Sequence, residues 1–308
     1  MSVVKSYSFP VGDIRGDMFY IDHNTDNFSI IDCYLKEGDD ASCRKDEILE
    51  EIRDLRAQKT INRFISTHPH NDHFLGIEAL DAQNAITNFY AVANEIPANP
   101  DDVSLTKYIE LKDNYNYPIV KGLRRSWINQ SDAVRRSSGI NFLWPEITNK
   151  EYKEALQKVK DGTNQNDISC VFVYLVGSAS YMWMGDMETD MQNVFFASEK
   201  DNIKKVDILF HPHHGRKSSA PSKELMEALD PKIIVIGNAP ADDLNYDDPD
   251  RTITQNSAGD VVFVNDDDYI HVYTQNVYEN GPKCLVKSKG MVDSPVYGYY
   301  LGTLKLNE

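Results

Sequence analysis

The chain has 308 residues, 41% hydrophobic and 26% charged, the proportions of an ordinary soluble globule long enough to bury a sizeable core. Its formal net charge of −16 argues against a general polyanion-binding surface, so any contact with nucleic acid needs a local basic patch. No apolar run approaches the roughly 18 residues that span a bilayer, and residues 1–6 lack the apolar core of a signal peptide, so a soluble cytoplasmic protein without membrane contact is expected.

Residues 3–9, 17–23 and 28–33 alternate or run apolar as strands do, with turn chemistry at Asn24-Thr25-Asp26-Asn27. Residues 45–58 read as an amphipathic helix with Ile48, Leu49, Ile52 and Leu55 on one face. A buried strand at 61–66 then delivers Thr67-His68-Pro69-His70-Asn71-Asp72-His73, and residues 74–80 can open a helix. Imidazole nitrogen mixed with carboxylate oxygen suits zinc, manganese or iron. His68 and His70, alternating at the end of an extended segment, can converge on one ion. Asp72 and His73, past the bend, can serve a second. A lone histidine such as His23 or His271 reads as a satisfied core or surface residue; three of eight histidines within six residues do not.

Beyond residue 93 the pattern is least regular. Pro97, Pro100, Asp101 and Asp102 suggest a loop. Arg124, Arg125, Arg135 and Arg136 lie among Tyr108, Tyr115, Tyr117, Trp127 and Trp144. Arginines interleaved with aromatics can grip phosphates and stack bases, or they can be solvated arginines on a helical insertion. An apolar strand ends at Pro145, followed by a variable polar linker, an Asn-rich turn at 164–169 and a buried strand at 170–176. The strand 181–184 ends in Gly185-Asp186, where a carboxylate beside a glycine has room to approach two cations. Glu188 and Asp190 follow on a helix and read as solvated. The strand 207–211 leads into Pro212-His213-His214-Gly215, and Arg216 and Lys217 after it are placed to meet an anionic substrate. A buried strand at 233–238, a hairpin around 265–268 and further strands near 295–304 complete the chain. The cysteines Cys33, Cys43, Cys170 and Cys284 form no Cys-x-x-Cys pair and read as reduced.

His-x-His-x-Asp-His after a strand resembles the metallo-β-lactamase fold superfamily, whose members are mostly binuclear metallohydrolases. The Asn-rich turn, Gly185-Asp186 and the strand-His-His-Gly element followed by serines resemble the soluble hydrolase domain of the ComEC-like competence family. The resemblance covers roughly residues 1 to 275. It implies an α/β fold of metallo-β-lactamase type, a four-layer αββα sandwich forming one domain over 1–308 with an insertion at about 94–140. It also implies that Asp186 bridges two divalent ions, zinc or manganese. His68 and His70 would hold the first ion; Asp72, His73 and one of His213 and His214 the second. We favour His214 as that ligand, leaving His213 as proton donor or phosphate contact and His211 as structural. The segment Val11-Gly12-Asp13-Ile14-Arg15-Gly16-Asp17 resembles the family's Gly-x-Gly-Asp turn with extra residues, and Asp32 the acid that closes the next strand. Such acids help shape the metal-site loops, although turn chemistry accounts for them equally well.

Two departures stand out. No histidine lies between His73 and His211, so water, substrate, or one of Asn164, Asn166 and Asp167 must complete the first site. Where the family has Tyr-x-His-Pro, this chain reads Tyr246-Asp247-Asp248-Pro249. An oxygen-rich first site accepts manganese more readily than a full histidine site would. The activity expected from the resemblance is phosphodiester hydrolysis of DNA or another nucleic acid. Asp72 would orient the nucleophile, His213 would act on the leaving group, and Arg124, Arg125, Arg216 and Lys217 would contact substrate. A small-molecule esterase or lactonase is the alternative, and a non-catalytic binding module a third.

Overall fold

A computed structural model describes residues 1–9, 16–41, 43–56, 59, 61–131, 133 and 136–306. Its elements in chain order begin with β1 (Ser2–Ser6), β2 (Phe19–Asp22), β3 (Asn27–Ile31), β4 (Cys33–Tyr34), α1 (Lys45–Arg56), β5 (Ile61–Ile65), β6 (Phe74–Leu75) and α2 (Ile77–Gln83). There follow β7 (Phe89–Ala91), α3 (Val103–Tyr115), β8 (Asn116–Pro118), β9 (Ile140–Trp144), α4 (Lys150–Lys160), β10 (Val171–Val176), β11 (Ala179–Trp183) and α5 (Thr189–Glu199). The last are β12 (Ile208–Phe210), α6 (Lys223–Leu229), β13 (Ile233–Ile236), β14 (Thr252–Thr254), α7 (Gln255–Ala258), β15 (Val261–Asp266), β16 (Tyr269–Thr274) and β17 (Tyr299–Lys305).

The strands form two large sheets. Nine strands lie in the order β17-β16-β15-β1-β2-β3-β5-β7-β8, and six in the order β14-β13-β12-β11-β10-β9, with β4 and β6 pairing apart. In the first sheet β1, β2 and β3 pair antiparallel, then β3, β5, β7 and β8 run parallel through the crossover helices α1, α2 and α3. In the second, β11, β12, β13 and β14 run parallel.

Side chains alternate along β2, so Tyr20 joins one core and Phe19 and Ile21 another. On the Tyr20 side, Phe28, Ile30, Phe64 and Phe89 pack under Ile48, Ile52, Ile77, Leu80, Leu105, Tyr108 and Leu111 of α1–α3. On the other side the sheets meet face to face, Phe19 packing edge-on against Phe210 at 4.8 Å and Trp183 at 5.7 Å between ring centres. Trp144 turns to the outer face of the second sheet, where it meets Tyr152 of α4 and Phe195 of α5. The layers are helix, sheet, sheet, helix, the expected αββα sandwich.

One expectation changes at the level of elements. The polar linker after Pro145 is α4, capped by Asn149 Oδ1 accepting from the Tyr152 amide at 2.8 Å, with Tyr152, Ala155 and Val159 facing inward. Within residues 94–140, β8 forms the edge of the first sheet and α3 packs on its core. Asp102 caps α3 by accepting from the Leu105 amide at 2.9 Å. No helix among the described residues is long and apolar enough to cross a membrane.

Candidate metal centre

Parallel strands present ligands at their carboxyl ends, and three such ends meet here. β5 runs into His68 and, through the tight turn Asn71–His73, into Asp72 and His73. β11 leads to Gly185 and Asp186, and β12 to His213 and His214. Because β2 is antiparallel to β3, with Phe19 opposite Ile31, Asp17 just before β2 and Asp32 just after β3 reach the same edge.

Asp17, His73, Asp186 and His214 offer ligand atoms that all lie within 4.8 Å of one another. Asp186 is central: its Oδ1 is 3.3 Å from His73 Nε2 and its Oδ2 is 3.2 Å from His214 Nε2. His214 Nδ1 lies 3.2 Å from Asp17 Oδ1. Asp72, at the half-buried rim, is 3.8 Å from His214 Nε2 and 4.0 Å from His73 Nε2. The buried His68 ring centre is 4.1 Å from that of His73. His70 is exposed, 5.7 Å from His68 between ring centres, with Nδ1 3.7 Å from Asp72 Oδ1. His23 bonds Ser29 Oγ and His271 bonds Thr303 Oγ1, both away from this cluster, and His211 donates from Nδ1 to the Pro212 carbonyl.

The hydrogen bonds behind the ligands fix which nitrogens face inward. Thr67 Oγ1 donates to Asp32 Oδ2 at 2.6 Å, so toward His68 Nδ1, 3.1 Å away, it accepts. His68 therefore carries its hydrogen at Nδ1 and a lone pair at Nε2. Asp32 Oδ2 also accepts from His73 Nδ1 at 2.8 Å, turning His73 Nε2 to Asp186. A carboxylate behind a histidine in this way orients it for a metal and raises its basicity. Glycine is required at 185: its φ is +52°, and a Cβ there would meet Ser169 Oγ at 2.8 Å and Thr67 Cβ at 3.0 Å. Asp32, His213 and His214 also hold left-handed conformations without being glycine, strain that concentrates at this edge.

Electrostatics point the same way. Burial penalises charge on Asp186, yet His214 and His73 prevail and hold its carboxyl well below the usual range. Desolvation opposes the charge on His73 and His214 as well, but Asp186 with Asp32 and Asp17 draws both pKa values well above the ordinary one. Burial, reinforced by neighbouring His73, keeps His68 well below it. Burial pushes the Asp32 carboxyl up, with His73 and Thr67 opposing.

The buried Nε2 atoms of His68, His73 and His214 and both oxygens of Asp186 have no hydrogen-bond partner. Each such atom costs about 1–3 kcal/mol when left unsatisfied, and here they gather at one place. A divalent cation satisfies them together, and the mixture of imidazole and carboxylate suits zinc, manganese or iron. The residues fit a metal ion.

Beside this cluster His213 is held by its own set of partners. Ser219 Oγ donates to Glu188 Oε2 at 2.5 Å and accepts from His213 Nδ1 at 2.9 Å, with Glu188 Oε1 3.0 Å from the same nitrogen. His213 Nε2 accepts from Arg216 Nη1 at 2.9 Å and lies 3.6 Å from Asp186 Oδ2. Glu188 is thus not solvated, as its place at the start of a helix suggests, but directed to the site. His213 and Ser219 hold its carboxyl below the usual range against partial burial. Asp190 is exposed.

The other basic residues are scattered. Lys217 is exposed and donates to the Asp242 carbonyl. Arg124 and Arg136 are exposed. Arg125 instead stacks its guanidinium 2.9 Å above the centre of the Tyr117 ring. Arg135 and residues 11–15 lie outside the described residues. Sequence reasoning did not nominate Asp17 as a ligand or Glu188 as a partner. For Asp17 the signal was its place at the end of the Gly-rich turn; for Glu188 there was none, since its partners lie on another loop.

No family model and no curated protein matches the chain. Among solved structures it is similar to CmlA, a diiron beta-hydroxylase from Streptomyces venezuelae, at 13% identity and a TM-score of 0.45, over 77% of this chain and 44% of that one. A mutant of that hydroxylase gives 12% and 0.43, over 77% and 45%. A protein of unknown function from Enterococcus faecalis gives 10% and 0.30, over 68% and 49%. The chain spans less than half the length of each.

Proposed function

We propose that this chain is a binuclear metal-dependent hydrolase of phosphodiesters, with nucleic acid as the substrate class, through the motifs it shares with the ComEC-like hydrolase domains. The observation that carries the metalloenzyme reading is the set of unpartnered, buried ligand atoms around Asp186. A binding module without chemistry has no need to bury them. Asp17, Asp72, His73, Asp186 and His214 would hold one ion, and His68, His70 and Asp186 the other. Zinc or manganese fits both sets.

Two such cations, when bound, lower the pKa of water and polarise a phosphoryl oxygen. The chain's own groups do the rest. Asp32 keeps His73 turned inward, and Thr67 does the same for His68. Asp72, half-exposed at the rim, accepts a hydrogen bond from an incoming water and orients it. Arg216 carries its charge to His213 Nε2, beside Asp186, where an anionic diester meets it. Glu188 and Ser219 hold the His213 proton at Nδ1, so Nε2 faces the reacting groups.

What supports nucleic acid is the pair of exposed guanidinium groups, Arg124 and Arg136, in addition to Arg216. One observation favours the small-molecule reading: Arg125 is committed to Tyr117, which thins the basic patch on a chain of net charge −16. The test is turnover of bis-p-nitrophenyl phosphate with manganese or zinc, beside lactone and carboxyl-ester substrates. Metal-dependent diester cleavage supports the proposal. Faster turnover of lactones or esters by the same preparation transfers it to the second reading, and no turnover of any by protein carrying two ions favours a binding module.

A further inference from the structure

Apart from the shared Asp186, the first site proposed above draws on His68 and His70 alone, and the turn after α4 carries a further oxygen donor, Asn166. Asn166 donates from Nδ2 to Glu188 Oε1 at 3.3 Å, while its Oδ1 is buried without a hydrogen-bond partner. The amide cannot be reversed, because that would set its oxygen against the Glu188 carboxylate. The turn carrying it is clamped to the centre on both sides. The Cys170 amide donates to the Thr67 carbonyl, immediately before His68, at 2.9 Å. The Asp186 amide donates to Ser169 Oγ at 3.1 Å. Asn166 thus opens a turn whose end, Ser169 and Cys170, is tied to Asp186 and to the residue before His68. Asp167, next in the chain, spends Oδ2 on Asn164 Nδ2 at 2.6 Å, and its Oδ1 is likewise buried without a partner; what sets Asn166 apart is the bond to Glu188, which fixes the direction of its amide.

Resting on the two-ion reading above, we infer that the Asn166 carboxamide oxygen completes the first site with His68, His70 and Asp186, a mixed nitrogen and oxygen set. A neutral amide oxygen in place of imidazole favours manganese over zinc, because carbonyl donors suit the harder ion. Glu188 thereby serves two ends of the centre, meeting Asn166 and His213 at Oε1 and Ser219 at Oε2.

The test is metal stoichiometry and affinity of the full chain, loaded with manganese or zinc, dialysed, and measured by elemental analysis and chelator competition. The parent is expected to hold two ions. Asn166→Ala is expected to keep one at parental affinity and to bind the other at least about tenfold more weakly. Asn166→Asp combined with Glu188→Gln, which retains an oxygen donor at 166 and a donor–acceptor pair between the two side chains, is expected to keep both, as is Asp167→Asn. Asn166→His is expected to restore the ion and to move its preference toward zinc. Thermal melts of the variants separate ligand loss from unfolding; the Asn166→Asp, Glu188→Gln variant carries the comparison should the Ala variant melt early. Parental affinity for both ions in a folded Asn166→Ala overturns the assignment while leaving the two-ion centre in place. Loss of one ion in Asp167→Asn overturns it in favour of Asp167. A parent that binds fewer than two ions removes the two-ion reading itself, and this inference with it.

Discussion

At the scale of single residues, the candidate ligands that sequence reading named are those whose chemistry is local. His68, Asp72 and His73 lie within six residues, and Asp186 and His214 each follow a strand and neighbour a glycine. The residues it missed act across the fold. Asp17 reaches His214 from the far end of the hairpin, and Glu188 reaches His213 from the start of another helix. Spacing within a motif carries no trace of such pairs. Asp32 stood between, readable as an acid near the site but not as the partner of both Thr67 and His73. Two substitutions separate these roles. Asp186→Ala is expected to lose most of both ions on dialysis, since in the proposed centre this one carboxylate serves each ion; elemental analysis that finds both retained would sink the bridging assignment. Asp32→Ala removes no ligand but frees His73 Nδ1 and Thr67 Oγ1. Metal affinity is expected to fall about 10–100-fold while saturating metal restores occupancy, as chelator competition would measure.

At the scale of elements, the strands were the readable part, because a β-branched apolar run such as Ile233–Ile236 fits little except a buried strand. The helix α4 was obscured by its own solvated face: Lys150, Lys153 and Glu154 make the stretch look like a linker, although Tyr152, Ala155 and Val159 keep helical spacing. Element junctions were the least readable. Arg44, just before α1, is buried and donates from Nη1 to Asp260 Oδ1 at 2.6 Å and to the Ser8 carbonyl at 2.5 Å. Lys5 Nζ lies 3.0 Å from Asp260 Oδ2, and the Ser8 amide donates to Oδ1 at 2.8 Å. This one carboxylate ties β1, α1 and β15 together across most of the chain. Burial disfavours its charge, but Lys5 and Arg44 outweigh that and hold its pKa below the ordinary value. A carboxylate depressed in the folded state stabilises the protein above its unfolded pKa, near 3.9, and loses that contribution as pH falls through the folded value. Asp260→Ala leaves the buried Arg44 with only Glu47 and the Ser8 carbonyl as partners and is expected to cost at most about 3–5 kcal/mol at neutral pH by urea denaturation. The gap between parent and variant should close in acid. A gap that persists unchanged below about pH 3.9 would assign the loss to packing.

At the scale of the whole molecule, charge decides what the site can take. With a formal net charge of −16, a long polyanion is repelled unless a local field reverses the sign near Asp186. The sequence offered Arg124, Arg125, Arg135 and Arg136 as one cluster, because neighbours in the chain look like neighbours in function. The fold divides them. Arg125 stacks on Tyr117 and is near enough to the buried Arg63 for the two cations to oppose each other; burial and that repulsion bring the Arg63 guanidinium down to about 10. Arg125 is thus part of the packing between β5, β7 and β8, whereas Arg124 and Arg136 face solvent. The two classes should separate in measurement. Arg125→Ala removes a cation–π interaction and is expected to cost about 1–2 kcal/mol of stability, with little change in DNA affinity at a temperature where the variant is folded. The Arg124→Ala, Arg136→Ala double variant is expected to melt with the parent but to bind DNA more weakly. Its plot of log affinity against log salt should flatten by about 0.9 for each phosphate no longer neutralised on duplex DNA and about 0.7 on single strands. Hydrolysis of a small diester should not change in either variant, since neither touches the metal ligands. If the double variant keeps the parental affinity and slope, the exposed arginines play no part in substrate capture. The acidic surface then excludes long polyanions from the centre, and a small anionic ester becomes the substrate that Arg216 can recruit.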